Sequence, residues 1–326
     1  MSCDIRATRS LSPYGSHRGS KAHGDNRRMY KLTPRQRLTL VLLTLIWGLN
    51  WPVMKLGVTG YPPLTFRTLS MLIGLPLLGA VLLALKVPFR IERRHWPQLL
   101  LLTATNMLVW HVCIILALKN LSSGRAAILG YTMPVFSALI GAWLFSARLS
   151  VRGWTGVGAA AVGVGLLLWH ELTALAGRPV FVLLALFAAA VWALGTQLLR
   201  RSRIEAATLT LSFWMTALTT VVVSVLAVTF ERAQWTLPPA PTGWAIAFNA
   251  VLIFGYAQPA WFFLARALPP LASTLSVMLI PVLGVFSGAL WLHEVLHWQD
   301  YTAVLLMVVA IASVLWPARQ RRDVAA

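Results

Sequence analysis

The segment His293-Glu-Val-Leu-His297 has the spacing of a zinc-hydrolase motif. On a continuous helix, histidines four residues apart share one face and can bind zinc, and the glutamate between them can act as a general base. Asp300 follows three residues later and is a candidate third ligand. Metal-assisted hydrolysis is therefore one chemistry that the sequence offers, with His293 and His297 as the metal ligands.

A different chemistry is indicated by polar side chains that occur one at a time in long apolar stretches. A polar group that faces lipid or a dry core is costly, so these groups should point toward other helices. There they can bind a small polar molecule or hydrogen-bond to a neighbouring helix, and His111 can also carry a proton. The five residues are Asn50, Asn106, His111, Gln197 and Gln258.

Aromatic and proline residues lie within the same stretches. Trp47 and Trp192 are far from the ends of their stretches, where they suit either a cavity for flat or cationic apolar groups or a packed core. Pro134 and Pro281 each remove one backbone donor from a helix and free the carbonyl four residues earlier. Each proline therefore predicts a hinge, a cavity-lining acceptor or a packing kink.

Two charged residues complete the candidate set. Arg67 lies one turn inside the second apolar stretch, and Glu294 lies at the end of the ninth. An unpaired charge at membrane depth costs about 3 kcal/mol on insertion scales, so we expect these two residues to pair near the same face. Glu294 is then a structural or gating charge. The alternative for Arg67 is an interfacial anchor without a partner.

Ten apolar stretches carry these residues. The chain is 58% hydrophobic and 11% charged, with a mean hydropathy of +0.72, which excludes a soluble fold. A bilayer core needs roughly 20 apolar residues per helix, and continuous rather than alternating runs satisfy their backbone as helices. The predicted fold is all-α integral membrane with ten transmembrane helices. The predicted spans are 38–58, 63–85, 96–118, 122–145, 153–170, 180–199, 206–229, 244–266, 271–293 and 299–316.

The net charge of +19 is sorted by side rather than gathered into a patch for nucleic acid. From a cytoplasmic N-terminus, the segments predicted to lie inside carry 22 Lys and Arg residues, and the outer loops carry four. This bias fits the positive-inside rule for ten crossings with both termini in the cytoplasm. The predicted location is the plasma (bacterial inner) membrane, with the lipid bilayer and not nucleic acid as partner.

The chain also repeats itself at an offset of about 145 to 147 residues. The alignment places Pro134 on Pro281 and Gly141 on Gly288. Each unit then has five helices, and an odd number of crossings inverts the second unit relative to the first. The predicted organisation is a disordered basic cytoplasmic tail (1–37), a first five-helix repeat (38–170), a linker (171–179), a second five-helix repeat (180–317) and a cytoplasmic tail (318–326).

Five segments, in this order and spacing, resemble the EamA-type branch of the drug/metabolite transporter superfamily. They read WGLNWPVMKLGV, PPLTFRTLSMLIG, AAILGYTMPVFSALIGAWLF, FAAAVWALGTQLLRR and LSVMLIPVLGVFSGALWLHEVL. The resemblance covers about 37–317 and implies a ten-helix inner-membrane carrier for small metabolites, often an exporter of amino acids or related compounds. Arg67 matches the family's arginine. Where the family usually ends helix four with an acidic residue, this chain has Ala147, while the repeat partner keeps the acid as Glu294.

The duplication and the resemblance together predict a secondary transporter. We expect it to export small metabolites such as amino acids or related amphipathic compounds by alternating access, without a cofactor and without enzymatic activity. A proton or another ion is the candidate coupling partner, and the protein is a monomer or a homodimer. Two alternatives stay open: an intramembrane zinc metallopeptidase that uses His293 and His297, and a membrane subunit without transport. The predicted cavity or gate residues are Trp47, Asn50, Arg67, Asn106, His111, Pro134, Trp192, Gln197, Gln258 and Pro281.

Overall fold

The computed structural model describes residues 34–146, 149–173, 178–261 and 270–315. Regular structure within these ranges is entirely helical. Of the predicted tails 1–37 and 318–326, residues 1–33 and 318–326 lie outside the described residues, as does Ala147. Residues 34–37 belong to the first helix, so the prediction of disorder is wrong for these four residues. The helices are α1 (Pro34–Val58), α2 (Pro63–Ala84), α3 (Arg93–Asn120), α4 (Ser123–Phe145), α5 (Val151–Thr173), α6 (Pro179–Arg200), α7 (Thr208–Glu231), α8 (Ala240–Trp261), α9 (Pro270–Leu292) and α10 (Trp298–Leu315).

Eight of these helices are long and apolar enough to cross a membrane. The apolar parts described for the last two are shorter, at Leu279–Leu292 and Trp298–Ser313. A helix satisfies all of its backbone groups internally, which is what an apolar segment of this length requires in lipid. The predicted all-helical membrane class is therefore confirmed for the described part of the chain. Ten crossings and the inversion of the second unit stay predictions.

Several irregular features recur at the offset of the sequence repeat. A π-helical segment interrupts α3 at Ala104–Leu108, and another interrupts α8 at Asn249–Ala257. The turn after α4 has Ser146 at φ 53°, and the turn after α9 has His293 at φ 53°, 147 residues later. Wide π turns are rare and often occur near functional sites. The repeated sequence thus produces repeated departures from regular helix.

The two aligned prolines differ in their backbone setting. In α4 the α-helical pattern stops at Gly130 and starts again at Met133, so Pro134 lies in the first turn of the second half. A proline there removes no helical hydrogen bond. Pro281, in contrast, lies inside the continuous helix α9. The expected matched pair of helix-interior prolines is therefore wrong for Pro134.

Hydrogen bonds gather one set of loops at one end of the bundle. Lys55, near the end of α1, donates from Nζ to the Leu118 oxygen at 3.0 Å and the Leu121 oxygen at 2.8 Å. The Tyr61 hydroxyl donates to the Thr236 oxygen at 3.3 Å. The loops 59–62, 121–122 and 232–239 are therefore neighbours, and we call this the capped end, for the two carboxylate caps described below.

The opposite end carries most of the described arginines. Thr210 Oγ1 donates to the Pro88 oxygen and Trp214 Nε1 to the Phe89 oxygen, both at 2.7 Å, so the loops 85–92 and 201–207 lie together. The second loop follows Arg200, the last residue of α6, which is exposed. We call this the basic end. It is also the end at which α1 begins.

The helices of the two halves interleave instead of forming separate bundles. Helix α1 packs against α9, and α6 packs against α4. Helix α2 packs against α7, and α5 packs against α10. This arrangement leaves α1, α3, α4, α6 and α8 around a common centre, where the candidate site lies.

Candidate functional site

A cavity of about 340 Å³ lies where α1, α3, α4, α6 and α8 meet, with one residue contributed by α2. Met54 and Arg67, each about one turn from the capped end, mark its deep limit. Arg200 marks its other limit at the basic end. The remaining lining residues are Trp47, Asn50, Trp51, Trp110, His111, Tyr131, Met133, Pro134, Ser137, Ala138, Trp192, Ala193, Thr196, Gln197, Ile253, Gln258 and Trp261.

Eight of the ten residues predicted to line a cavity or gate do line this one. They are Trp47, Asn50, Arg67, His111, Pro134, Trp192, Gln197 and Gln258. Asn106 and Pro281 lie elsewhere. Asn106 is 1% exposed and donates to the Leu102 oxygen of its own helix at 3.1 Å. It also packs against Gly195 of α6, where an added Cβ would meet its Nδ2 at 2.6 Å.

Aromatic rings form the walls of the cavity. Trp51 is in edge contact with Trp110 at a centroid distance of 6.5 Å and with Tyr131 at 6.3 Å. Trp110 lies 5.1 Å from Trp192, and Trp47 lies 5.2 Å from Trp261. Such tilted and edge-on contacts fix the rings, so the walls are rigid, flat and largely apolar.

Gly130 makes this aromatic packing possible. A Cβ at this position would lie 2.9 Å from the Trp51 ring and 3.1 Å from the Trp110 ring. The first distance is shorter than real carbon contacts allow, and both neighbours are rigid rings. The backbone of α4 must therefore lack a side chain where the two indoles meet.

Arg67 is a buried cation without a carboxylate partner among the described residues. Its side chain is 2% exposed. Its Nη1 donates to Asn249 Oδ1 at 3.3 Å and its Nη2 to Met54 Sδ at 2.9 Å, while its Nε has no partner. The rings of Phe66 and Phe254 lie 5.9 and 5.8 Å from the guanidinium carbon. A long amide contact, a weak sulfur acceptor and two rings are a poor replacement for water around a charge.

Other polar groups in the cavity also lack partners. Asn50 Oδ1 has none, and neither ring nitrogen of His111 has one, although His111 is only 4% exposed. The amide of Gln258 has a weak contact from its Nε2 to Met107 Sδ at 3.4 Å. Buried polar atoms in native proteins are normally hydrogen-bonded. An unpaired group in a cavity wall is therefore available to a ligand.

Toward the basic end the polar groups bond to one another. Gln197 Nε2 donates to Ser137 Oγ at 2.8 Å, which joins α6 to α4. Arg201 Nη1 donates to Gln197 Oε1 at 2.6 Å, and its guanidinium carbon lies 3.6 Å from the centre of the Phe145 ring. The contacts between α4 and α6 thus form one side of the cavity mouth.

Two carboxylates cap helix N-termini at the capped end. Glu294 accepts from Ser123 N at 2.7 Å, Ser123 Oγ at 2.8 Å and Gly124 N at 3.4 Å, at the start of α4. Glu231 accepts from Leu64 N at 3.0 Å, Thr65 N at 2.7 Å and Thr65 Oγ1 at 2.8 Å, at the start of α2. In both cases a carboxylate from the second half satisfies the free N–H groups of a helix in the first half.

Burial and the nearby Glu231 carboxylate raise the pKa of the Tyr61 phenol in the same region. Glu231 is not among the site residues predicted from the sequence. The available signal was an acidic residue just after the seventh apolar stretch, as Glu294 is after the ninth.

The expected ion pair between Arg67 and Glu294 is wrong. Arg67 projects from α2 toward α1 and α8, where it contacts Met54 and Asn249. Glu294 follows α9 and folds over the start of α4 instead. Free backbone N–H groups and the helix dipole attract this carboxylate without any arginine. Glu294 thus caps α4, and its role as a structural or gating charge stays a prediction.

The HEVLH segment does not form the helix that a zinc motif requires. Helix α9 ends at Leu292, and His293 has a positive φ, so His293 and His297 do not share a helical face. The Glu294 carboxylate is occupied by its cap, and His297 lies against Asp300 and the ring of His170. Within the described ranges no group of three His, Cys, Asp or Glu side chains is arranged to hold a metal ion. The structure therefore gives the metallopeptidase alternative no support.

Comparison with known proteins finds the same pattern twice in the chain. The model of the EamA-like transporter family matches residues 37–169 and again residues 180–316. The chain is 25% identical over 278 residues to the uncharacterized transporter YoaV of Bacillus subtilis, covering 84% of this chain and 94% of that protein. It is 28% identical over 300 residues to the uncharacterized inner membrane transporter YedA of Escherichia coli, covering 86% and 92%.

Two further similarities are more limited. A protein of Salmonella typhimurium named as a probable amino-acid metabolite efflux pump is 29% identical over 158 residues, which is 48% of this chain and 50% of that protein. A solved crystal structure aligns with a TM-score of 0.63 at 21% identity, covering 85% of this chain and 96% of the other. The second similarity supports the fold alone.

Proposed function

The chain belongs to the EamA-like transporter family, and on that premise we propose that it is a secondary transporter that exports small metabolites by alternating access. Amino acids or related amphipathic compounds are the proposed solutes. The relative named as a probable amino-acid metabolite efflux pump supports this class, although it matches only half of the chain. The matches indicate a transporter rather than an enzyme.

The proposal depends mainly on the position of the cavity. The cavity begins about one turn from the capped end and reaches exposed Arg200 at the basic end. At the capped end, Glu231 and Glu294 link segments of both halves, and in this proposal these contacts close the access route from that side. A central cavity that is closed on one side and reached from the other is one state of an alternating-access carrier.

The opposite state would follow from an inverted repeat. The packing pattern supports one, because exchanging the two halves maps the contact of α1 with α9 onto the contact of α6 with α4. The contacts of α2 with α7 and of α5 with α10 map onto themselves. This is the pattern that a two-fold axis between the halves produces. Two similar halves in opposite orientation can then close either end at a similar free energy.

The proposed orientation follows from charge. The positive-inside rule assigns the basic end to the cytoplasm, together with both termini, in a plasma (bacterial inner) membrane. A cavity reached from the cytoplasm takes up solute there, which fits export. The sequence has no phosphate-binding glycine-rich loop. We therefore propose a proton or another ion, or exchange, as the energy source, in a monomer or homodimer.

Transport into or out of proteoliposomes tests this function. A panel of labelled amino acids, organic acids, nucleosides and cationic dyes is assayed with and without a proton gradient. We expect saturable transport of at least one amphipathic solute, abolished in Trp192→Ala because that indole forms part of the cavity wall. Trp143→Ala is the matched control. Trp143 is 77% exposed on the outer surface of α4, so this variant should transport normally. Absence of flux for every panel member with the folded wild-type protein would contradict the proposal.

A further inference from the structure

From the surroundings of Arg67 we infer that the transported solute is a carboxylate anion with an apolar body, and that Arg67 binds its carboxylate. This inference rests on the proposed function and narrows its solute class. It favours a monoanionic organic acid over a cationic amine, and it assigns the anion to the deep end of the cavity.

Arg67 lacks a counter-charge among the described residues. None of the described acidic side chains is paired with Arg67, whose hydrogen bonds go to Asn249 and Met54. Glu231 and Glu294 cap helices at the capped end. The others lie elsewhere: Glu92 contacts Arg94, Asp300 contacts Arg125, and Glu205 is exposed in the loop 201–207. A buried guanidinium without a carboxylate is poorly stabilised, and a bound anion would stabilise it.

Hydrogen-bond donors surround the deep end of the cavity. A guanidinium has five N–H donors, and the acceptors within reach of Arg67 are one long amide contact and a thioether. His111 carries at least one N–H in any tautomer and has no partner. Met54, whose sulfur contacts Arg67, is a flexible side chain that lines the cavity and can move aside for a stronger acceptor.

The rest of the cavity also favours an anion with an apolar body. Its charged lining groups are Arg67 and Arg200, both positive, with no aspartate or glutamate among the described lining residues. An ammonium group would therefore find no carboxylate, and Arg200 at the mouth would attract anions. The walls are indole and phenol rings, and 340 Å³ suits a single ring with a short chain. The aromatic walls also disfavour a small inorganic anion, which would lose its hydration there.

The test uses four probes of similar size: phenylacetate, phenylalanine, 2-phenylethanol and 2-phenylethylamine. Binding to the purified full-length protein is followed by quenching of tryptophan fluorescence and checked by competition. We expect phenylacetate to bind about 10- to 100-fold more tightly than 2-phenylethanol, because hydrogen bonds to a charged group are the strong ones. Phenylalanine should be weaker than phenylacetate, 2-phenylethylamine should be weakest, and sodium chloride at equal concentration should not compete.

Variants assign the preference to Arg67. In Arg67→Gln we expect the difference between phenylacetate and 2-phenylethanol to disappear, while 2-phenylethanol binds as before. Arg67→Lys keeps the charge and should retain part of the preference. Arg152→Gln, which removes an exposed arginine at the start of α5, is the control and should change nothing. If Arg67→Gln does not fold, Arg67→Lys and the wild-type probe series still decide.

Equal binding of phenylacetate and 2-phenylethanol to the wild type would overturn the inference, as would a carboxylate preference that persists in folded Arg67→Gln. Transport of 2-phenylethylamine but not of any carboxylate would overturn it while leaving the transporter function in place. Tight, Arg67-dependent binding of phenylacetate without flux of any solute would support the anion site and refute the proposed function instead.

Discussion

Replacing Glu294 by glutamine should loosen the capped end. The carboxylate accepts two short hydrogen bonds, from Ser123 N at 2.7 Å and Ser123 Oγ at 2.8 Å, and a longer one from Gly124 N at 3.4 Å. A hydrogen bond to a charged acceptor contributes about 1.5–3 kcal/mol, against about 1 kcal/mol for a neutral one. Glutamine keeps one acceptor oxygen but turns an NH₂ group toward backbone donors. Because Glu294 is partly exposed, we expect the variant to reduce the stability of the closed capped end, relative to the open one, by about 2 kcal/mol.

A loss of about 2 kcal/mol raises the population open at the capped end roughly 30-fold. The assay places a single cysteine at Met54, the deep limit of the cavity, after Cys3 and Cys113 have been replaced. A membrane-impermeant maleimide is added from outside the cell. We expect labelling about 30-fold faster in Glu294→Gln than in the wild type, and no change in Glu205→Gln, which neutralises an exposed carboxylate at the basic end.

A second variant perturbs the same cap without changing its charge. In Gly288→Ala the new methyl group would lie 2.6 Å from Glu294 Oε2 and would collide with Ser123 Oγ. It should also accelerate external labelling. If both variants fold normally and label no faster than the wild type, the Glu294 cap does not hold this end closed.

Three further predictions rest on other contacts. Glu231→Gln should lower the free energy of unfolding by about 2 kcal/mol. Thermal unfolding in detergent measures this, with Glu205→Gln as the control. An unchanged melting temperature would contradict the role of Glu231 as the cap of α2. Gly130→Ala should abolish transport by pushing the cavity indoles apart. Gly165→Ala is the control and should transport normally, because a Cβ there meets nothing within 4 Å. Normal transport by Gly130→Ala would show that the aromatic walls are not needed. His293→Ala should transport at the wild-type rate and leave the metal content of the purified protein unchanged, and near-stoichiometric zinc lost in this variant would restore the metallopeptidase alternative.

The sequence predicts the fold class because lipid imposes a simple requirement. A long apolar run must satisfy its own backbone, so a stretch such as 179–200 can be identified as a helix without knowing its neighbours. The same argument finds much of the cavity. Asn50, His111 and Gln258 are polar groups in apolar helices, and the cost of exposing them to lipid directs them inward, where the structure places them.

The sequence does not give the rotation of one helix relative to another. Arg67 and Glu294 both lie near the same end of the bundle by chain position, so they are an obvious pair. Their helices direct them to different neighbours, Arg67 to Asn249 and Glu294 to Ser123. Met54 and Tyr131 escaped prediction for a related reason, because an apolar or aromatic residue in a transmembrane helix has the same sequence signature whether it faces lipid or a cavity.

Backbone irregularities account for the remaining differences. The motif HEVLH suits a zinc site only if the helix continues through it. The helix instead ends at Leu292, directly before the motif, and the backbone of His293 is in the left-handed region. The π-helical turns of α3 and α8 depend on packing between helices, which no local pattern specifies. Residue type identified the candidates, and tertiary packing decided which of them meet.

Labelling of a cysteine at Thr196 from each face of the membrane shows whether the cavity opens to one side at a time. Thr196 lines the cavity on the side of the basic end, and an impermeant maleimide can be applied to either face of the membrane. We expect labelling from the cytoplasmic face without solute and protection from that face by a transported solute. Access from the outside should appear only when cytoplasmic access is lost. Simultaneous labelling from both faces, or labelling from the outside alone in the absence of solute, would contradict a cavity that opens to one side at a time.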